Sequence, residues 1–129
     1  MAEFYAIPLQ TVASGENALF DGKGGCGCIV HRNNSGVFIL KPHTGKYRIT
    51  FHANIGGATA DVPTSIAIAL NGEPVGTATM IVTPSVAGAL NNVSAMLTLT
   101  APCCMTITVI NTTNAPITLE NANLTIECV

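Results

Sequence analysis

Between Leu40 and Ile55 the chain alternates residue by residue. Tyr47, Ile49, Phe51 and Ala53 fall on one side, and Lys46, Arg48, Thr50, His52 and Asn54 on the other. A period of two over this length predicts a strand with one buried and one wet face. The same period recurs through most of the chain, while helical periodicity is almost absent. Strands are expected near 5–13, 17–20, 27–32, 36–40, 46–54, 64–71, 74–82, 92–100, 104–111 and 117–128. Turn-forming runs separate them: DGKGG at 21–25, NNSG at 33–36, PHTG at 42–45, IGGATADVP at 55–63, TPSVAGALNN at 83–92 and TTNAP at 112–116. Asn71-Gly72 is the strongest hairpin signal, because both residue types accept the positive φ of a type I′ turn.

Three segments say more. In ITLENANLTIECV the apolar positions change parity, from Ile117 and Leu119 to Leu124, Ile126 and Cys128. One extra residue in a β-bulge near Asn121–Ala122 restores a single buried face. In TSIAIAL, Ile66, Ile68 and Leu70 oppose Ser65, Ala67 and Ala69, and in MTITVIN, Met105, Ile107 and Val109 oppose Thr106, Thr108 and Ile110. Such a sheet has a large-aliphatic face for its own core. Its second face is too dry for open water and flat enough for another subunit. Ala67, Ala69, Thr106 and Thr108 are the candidate interface residues, and a homo-oligomer is the expectation. A monomer with a neutral, Thr-rich surface is the alternative.

Composition agrees with a dry surface. The 129 residues suit one domain, and 48% are hydrophobic. Only 9% are charged, against roughly 25% in ordinary globular domains. No apolar run approaches the roughly 18 residues of a membrane-spanning helix. The N-terminal MAEFYAIPLQ has neither a basic nor an apolar region of a signal peptide, so no export signal is read there. Net charge is −2, and the five Lys and Arg residues are scattered. That is no electrostatic footprint for nucleic acid.

Candidate chemistry is sparse. The five cysteines are Cys26, Cys28, Cys103, Cys104 and Cys128. A one-residue gap and an adjacent pair do not match the two-to-four-residue spacing of zinc knuckles, so no metal is expected. A disulfide between the GCGC loop (Cys26, Cys28) and the PCC turn (Cys103, Cys104) is a candidate. Without an export signal, reduced thiols are the default. His31, His43 and His52 accompany no Gly-x-Ser-x-Gly elbow and no His-Glu-x-x-His, and the carboxylates are dispersed. No enzyme and no cofactor are expected. GKGGCGC lacks the Lys-Ser/Thr ending of a phosphate loop. The glycosylation triplets at Asn33, Asn92, Asn111 and Asn123 read as chance products of a Thr- and Asn-rich chain. With no Trp and few aromatics, nothing marks a glycan platform.

FILKPHTGKYRITFHANI resembles the strand-turn-strand core of the complement-globular-head and tumour-necrosis-factor-like superfamily. That motif has an aromatic, a Pro three residues on, then Gly-x-Tyr-x-aromatic-x-aromatic. Ile39 takes the first position, followed by Pro42, Gly45, Tyr47, Ile49 and Phe51. SIAIALNGEPV resembles the superfamily's D–E hairpin. The resemblance implies an all-β, TNF-like jelly-roll β-sandwich of about ten antiparallel strands over 8–129, after an N-terminal segment 1–7. The chain departs from the pattern at TAPCCMTIT, where a Gly-Asp turn is usual, and a stalkless domain, without Gly-X-Y repeats, is the expectation. MAEFYAIPLQTVASGENALF is similar to small structural proteins of phages and prophages of gut Firmicutes, the stalkless branch. The resemblance implies a homotrimer around a threefold axis, made in the bacterial cytoplasm and placed on a virion or particle surface. Segment 1–7, with Phe4, Tyr5 and Ile7, is either an anchor to another structural protein or the first strand. A receptor- or glycan-binding head and a bacterial surface or spore-coat protein are the alternative roles.

Overall fold

Alternation fixes which side chains each strand buries, and the burial of those side chains fixes how the strands stack. A computed structural model describes residues 2–25, 29–31, 36–40, 45–101 and 105–128. Its strands are β1 (Ala2–Ala6), β2 (Gln10–Val12), β3 (Gly22–Gly25), β4 (Ile29–His31), β5 (Phe38–Leu40), β6 (Gly45–Gly57), β7 (Thr64–Leu70), β8 (Glu73–Val82), β9 (Asn91–Ala101), β10 (Thr106–Asn111) and β11 (Ile117–Cys128). They form two sheets. One runs β3-β1-β11-β6-β9, with β2 also paired to β11, and the other β4-β5-β10-β7-β8. All pairings are antiparallel. The described residues contain no helix. This is the jelly-roll sandwich that the period of two and the resemblance imply.

The core lies between the sheets. Tyr47, Ile49, Phe51 and Ile55 of β6 face Phe38, Ile66, Ile68, Ile107 and Val109 of the second sheet, all fully buried. Leu124 and Ile126 of β11 close the same layer. Phe4, Phe38, Phe20 and Phe51 form a chain of rings with successive centroids 4.5, 5.4 and 6.4 Å apart. The tilted and edge-on geometries are those that aromatic quadrupoles favour.

Several expectations are corrected. The strand read at 5–13 is two strands, because Pro8 has no N–H for the ladder and the chain bends there. Residues 17–20 form isolated bridges, at Asn17 (to Ile110) and at Phe20, rather than a strand. They still bury Ala18 and Phe20. The glycine-rich run read as a turn at 21–25 holds a strand, β3, which pairs with β1. Segment 1–7 holds a true first strand, with Phe4 in the core.

The bulge at Asn121 sits where the parity change requires it. Pairing of β11 with β6 shifts register between Glu120 and Asn123, and Asn121 adopts φ 55°. Asn71 and Gly72, at φ 51° and 85°, make the β7–β8 hairpin. Positive φ at both central positions is the type I′ geometry.

Candidate assembly surfaces

The long alternating strand places Tyr47, Ile49 and Phe51 on the buried face, each without exposed surface. Gly45 opens β6 opposite Ala101, and Pro42 lies outside the described residues. Ile39 is corrected. It is 38% exposed, while Phe38 and Leu40 on either side are fully buried. The aromatic that packs beneath the motif is therefore Phe38, held by Phe4 and Phe20. Three successive apolar residues gave period two nothing to choose between.

Of the four residues expected at an interface, Ala67 and Ala69 have no exposed surface within a single chain and Thr108 has 5%. Thr108 and Ala69 are register partners, as are Ile110 and Ala67, and Ala67 pairs with Thr79 on its other side. Within one chain Ala67, Ala69 and Thr108 are therefore already closed to solvent. Thr106, half-buried, keeps surface to offer.

The N-terminal trio divides in the same way. Phe4 is in the core, Tyr5 is 37% exposed and Ile7 64%. Leu9 and Leu19, both exposed, line one corner with Ala6, Pro8, Gln10 and Asp21. Gln10 holds that corner together. Its Nε2 donates to the Leu19 carbonyl at 2.9 Å, and its Oε1 accepts from the Leu19 N–H at 3.0 Å. Leu9 stood at a predicted strand position, and only the break at Pro8 turns it outward.

Sequence reading missed the importance of β9. Among the described residues it lies at the end of its sheet and pairs only with β6. Natural edges are blunted by charge, proline, bulges or brevity. Three edges here follow that rule: β3 is three-quarters glycine, β4 has 3 residues, and β8 carries Glu73, Pro74 and a register break. β9 has 11 residues, NNVSAMLTLTA, with no charge, proline or glycine. Its inward Ala95, Leu97 and Leu99 touch the core yet stay only half-buried, and outward Met96 is 62% exposed. A cleft of about 300 Å³ opens beside it, between Thr79–Val82 of β8 and Asn92–Ser94.

A second cleft, about 410 Å³, sits at one end of the sandwich among Thr11, Gly56, Gly57, Gly88 and Pro116. Its lining is uncharged and offers no acid, base or nucleophile beyond threonine hydroxyls. Among the described residues, no group of three His, Cys, Asp or Glu is placed to hold a metal ion. His52 points to solvent from β6. His43, Cys26, Cys28, Cys103 and Cys104 lie outside the described residues, so the candidate disulfide has no geometry to test it.

No family model matches this chain, and no curated protein does. Solved structures do. The globular domain of zebrafish complement 1qA protein is 15% identical over 96% of this chain and 94% of its own, with a TM-score of 0.70. Eiger TNF from S. frugiperda is 13% identical over 100% and 92%, also at 0.70. Murine APRIL at pH 5.0 is 13% identical over 95% and 97%, at 0.64. At these identities the likeness is one of fold: the chain is a jelly roll of the complement-head and TNF-like type.

Proposed function

We propose that the chain is a non-enzymatic structural protein that assembles as a homotrimer on the surface of a phage or prophage particle. The observation that carries self-assembly is β9. Among the described residues, nothing pairs with the outer edge of this uncharged strand of 11 residues, and Leu97 and Leu99 beneath it stay half-buried. A second copy seated along this edge covers both. A threefold ring repeats the contact and closes without a free end. Complete burial of one leucine is worth about 1.5–3 kcal/mol, and the interface recovers the unburied share of that for each. This moves the contact away from the sealed Ala67 and Ala69 to the opposite sheet's edge.

The phage setting is supported by the similarity of the N-terminal stretch to small phage structural proteins. Attachment to another structural protein would use exposed Ile7 and the corner of Leu9 and Leu19, which Gln10 ties together. Light scattering should give roughly 40 kDa, three copies of 13.3 kDa. Met96→Lys puts a charge on the exposed side of β9 without touching the core, and the mass should fall to that of the single chain. A wild-type monomer at micromolar concentration overturns the trimer. Antibody that fails to decorate purified phage or prophage particles overturns the placement alone.

A further inference from the structure

We infer that the cleft between the β2-β11-β6 end of the sandwich and the 83–90 loop is a binding site for a small uncharged molecule with an aliphatic body and a hydroxyl group. The cleft lies within one chain and does not depend on assembly.

Register builds one side of it. Thr11 of β2 pairs with Thr118 of β11, and Thr118 pairs with Gly56 of β6. The three therefore stand in one row across the sheet. A Cβ on Gly56 would lie 2.7 Å from Thr118 Oγ1 and 3.3 Å from the carbonyl oxygens of Gly88 and Ala89. Glycine at this position lets the 83–90 loop come down against the row. Row and loop together line the cleft of about 410 Å³.

The walls are held in place by the protein itself. The Gly88 N–H donates to the Gly57 carbonyl at 2.9 Å, and the Asp61 N–H to the Pro84 carbonyl at 2.7 Å. The Asn111 side chain donates to the carbonyls of Val12 and Ala115, the neighbours of Thr11 and Pro116 in the lining. A ligand entering such a site has no loop to order, so little of its contact energy is lost that way.

The lining selects the occupant. The volume is at the small end of the roughly 300–1,000 Å³ of ligand pockets, which suits a single ring rather than an extended chain. No lining residue is charged. An ion moved from water onto a neutral wall loses hydration that nothing there replaces. Ala58, Ala87 and Pro116 offer aliphatic contact. The polar side chains are the two threonines. Thr118 Oγ1 donates to the Gly56 carbonyl at 3.3 Å and keeps lone pairs with which to accept. Thr11 is exposed, and among the described residues its hydroxyl has no protein partner, so it can donate or accept. A ligand hydroxyl can bond both, whereas a wholly apolar ligand would strip water from Thr11 and give nothing back.

Three probes with one ring and different charge test this: cyclohexanol, cyclohexanecarboxylate and cyclohexylammonium. Amide NMR shifts of the whole chain report where each binds. Cyclohexanol is expected to shift Gly56, Gly57, Ala58 and Gly88 and to saturate. The charged probes are expected to bind at least about tenfold more weakly. Ala87→Phe, at an exposed position, should fill the cleft and abolish the shifts. Thr11→Val keeps the shape, removes the hydroxyl and should weaken binding several-fold at an unchanged melting temperature. Should Ala87→Phe lower the melting temperature, Thr11→Val decides. Met96→Lys, on the β9 edge, should bind cyclohexanol as wild type does, whatever its mass. Shifts that never saturate, that gather elsewhere, or that persist undiminished in the two cleft variants overturn the site. Charged probes that bind as well as cyclohexanol overturn the ligand class. Loss of binding in Met96→Lys would put the site between copies and overturn it too. The trimer stands or falls separately, on mass.

Discussion

Asn111 Nδ2 donates a hydrogen bond of 3.0 Å to the carbonyl of Val12, 99 residues away in the chain. The same group donates to Ala115 at 2.9 Å, and Oδ1 accepts from the Thr113 N–H at 2.8 Å. Its backbone N–H and carbonyl bond Glu16 and Gly15. The side chain is 1% exposed, so this is a buried polar group with its partners all supplied by the protein. It ties the first loop to the turn that precedes β11.

Asn111→Ala removes those three side-chain bonds and leaves buried carbonyls without donors. A loss of about 2–4 kcal/mol is expected from denaturant unfolding. Exposed Asn114→Ala, three residues on, should change stability by less than about 0.5 kcal/mol. Similar values for the two would show that Asn111 is not the tie the geometry describes. The triplet that reads as a glycosylation site in sequence is thus a structural lock at its asparagine.

The buried side of β6 gives a second contrast. Phe51 is fully buried, edge-on to Phe20 at 6.4 Å, while the next residue, His52, is exposed. Phe51→Ala should cost roughly 3–5 kcal/mol through lost contact and residual cavity. His52→Ala should stay within about 0.5 kcal/mol. Thermal melting at fixed protein concentration suffices, since oligomer stability depends on concentration. Equal losses would deny the strand its parity.

What was legible in the sequence follows from where its information lies. Strands such as β6 and β7 announce themselves because alternate side chains differ in polarity. The bulge in β11 was legible for the same reason, as a change of parity between Leu119 and Leu124. β3 was not, because Gly22, Gly24 and Gly25 pair through backbone and leave no side-chain period. Ile39 was misplaced because Phe38-Ile39-Leu40 is apolar throughout.

The candidate surfaces were harder still. NNVSAMLTLTA reads as any half-buried strand, and whether a strand is central or at an edge is decided by topology. Ala67 and Ala69 were read as a small-residue face, but sequence cannot show that a single chain already buries both. The corner at Leu9 and Leu19 depends on a clamp by Gln10 onto a residue of another segment.

Glycines offer a third test, because two of them differ in what surrounds them. A Cβ on Gly36 would run into the carbonyl oxygen of Ala18 and the Asn17 side chain. Gly36→Ala must push apart the segment that bridges to β10, and a loss of about 1–3 kcal/mol is expected. A Cβ on Gly76, in β8, meets nothing within 4 Å. Gly76→Ala should be neutral or gain up to about 1 kcal/mol, since glycine weakens a strand. Denaturant midpoints with an unchanged slope would report both. A Gly36→Ala variant as stable as wild type would mean that 15–18 does not pack as described.

The bulge at Asn121 can be tested by three changes at one position. At φ 55° the residue occupies the left-handed region, which asparagine and glycine enter more easily than other residues. Its backbone N–H donates to the Ile7 carbonyl at 3.3 Å, so the bulge also braces the bend between β1 and β2. Asn121→Gly keeps the backbone conformation and that bond, and should hold or slightly raise the melting temperature. Asn121→Val puts a β-branched side chain at positive φ and should cost about 1–2 kcal/mol. Deleting Asn121 is a different kind of change, because it removes the extra residue that reconciles the two halves of β11. Register after the bulge would slip by one. Leu124 and Ile126, at 0% and 1% exposure, would turn to the wet face, and Asn123 and Thr125 would enter the core. No local adjustment of side chains repairs that exchange, so the deletion should abolish cooperative unfolding. A deletion variant that melts near the wild-type temperature, with its amide exchange protected from Ala122 to Glu127, would show that the strand can be read in a single register and that the bulge is dispensable.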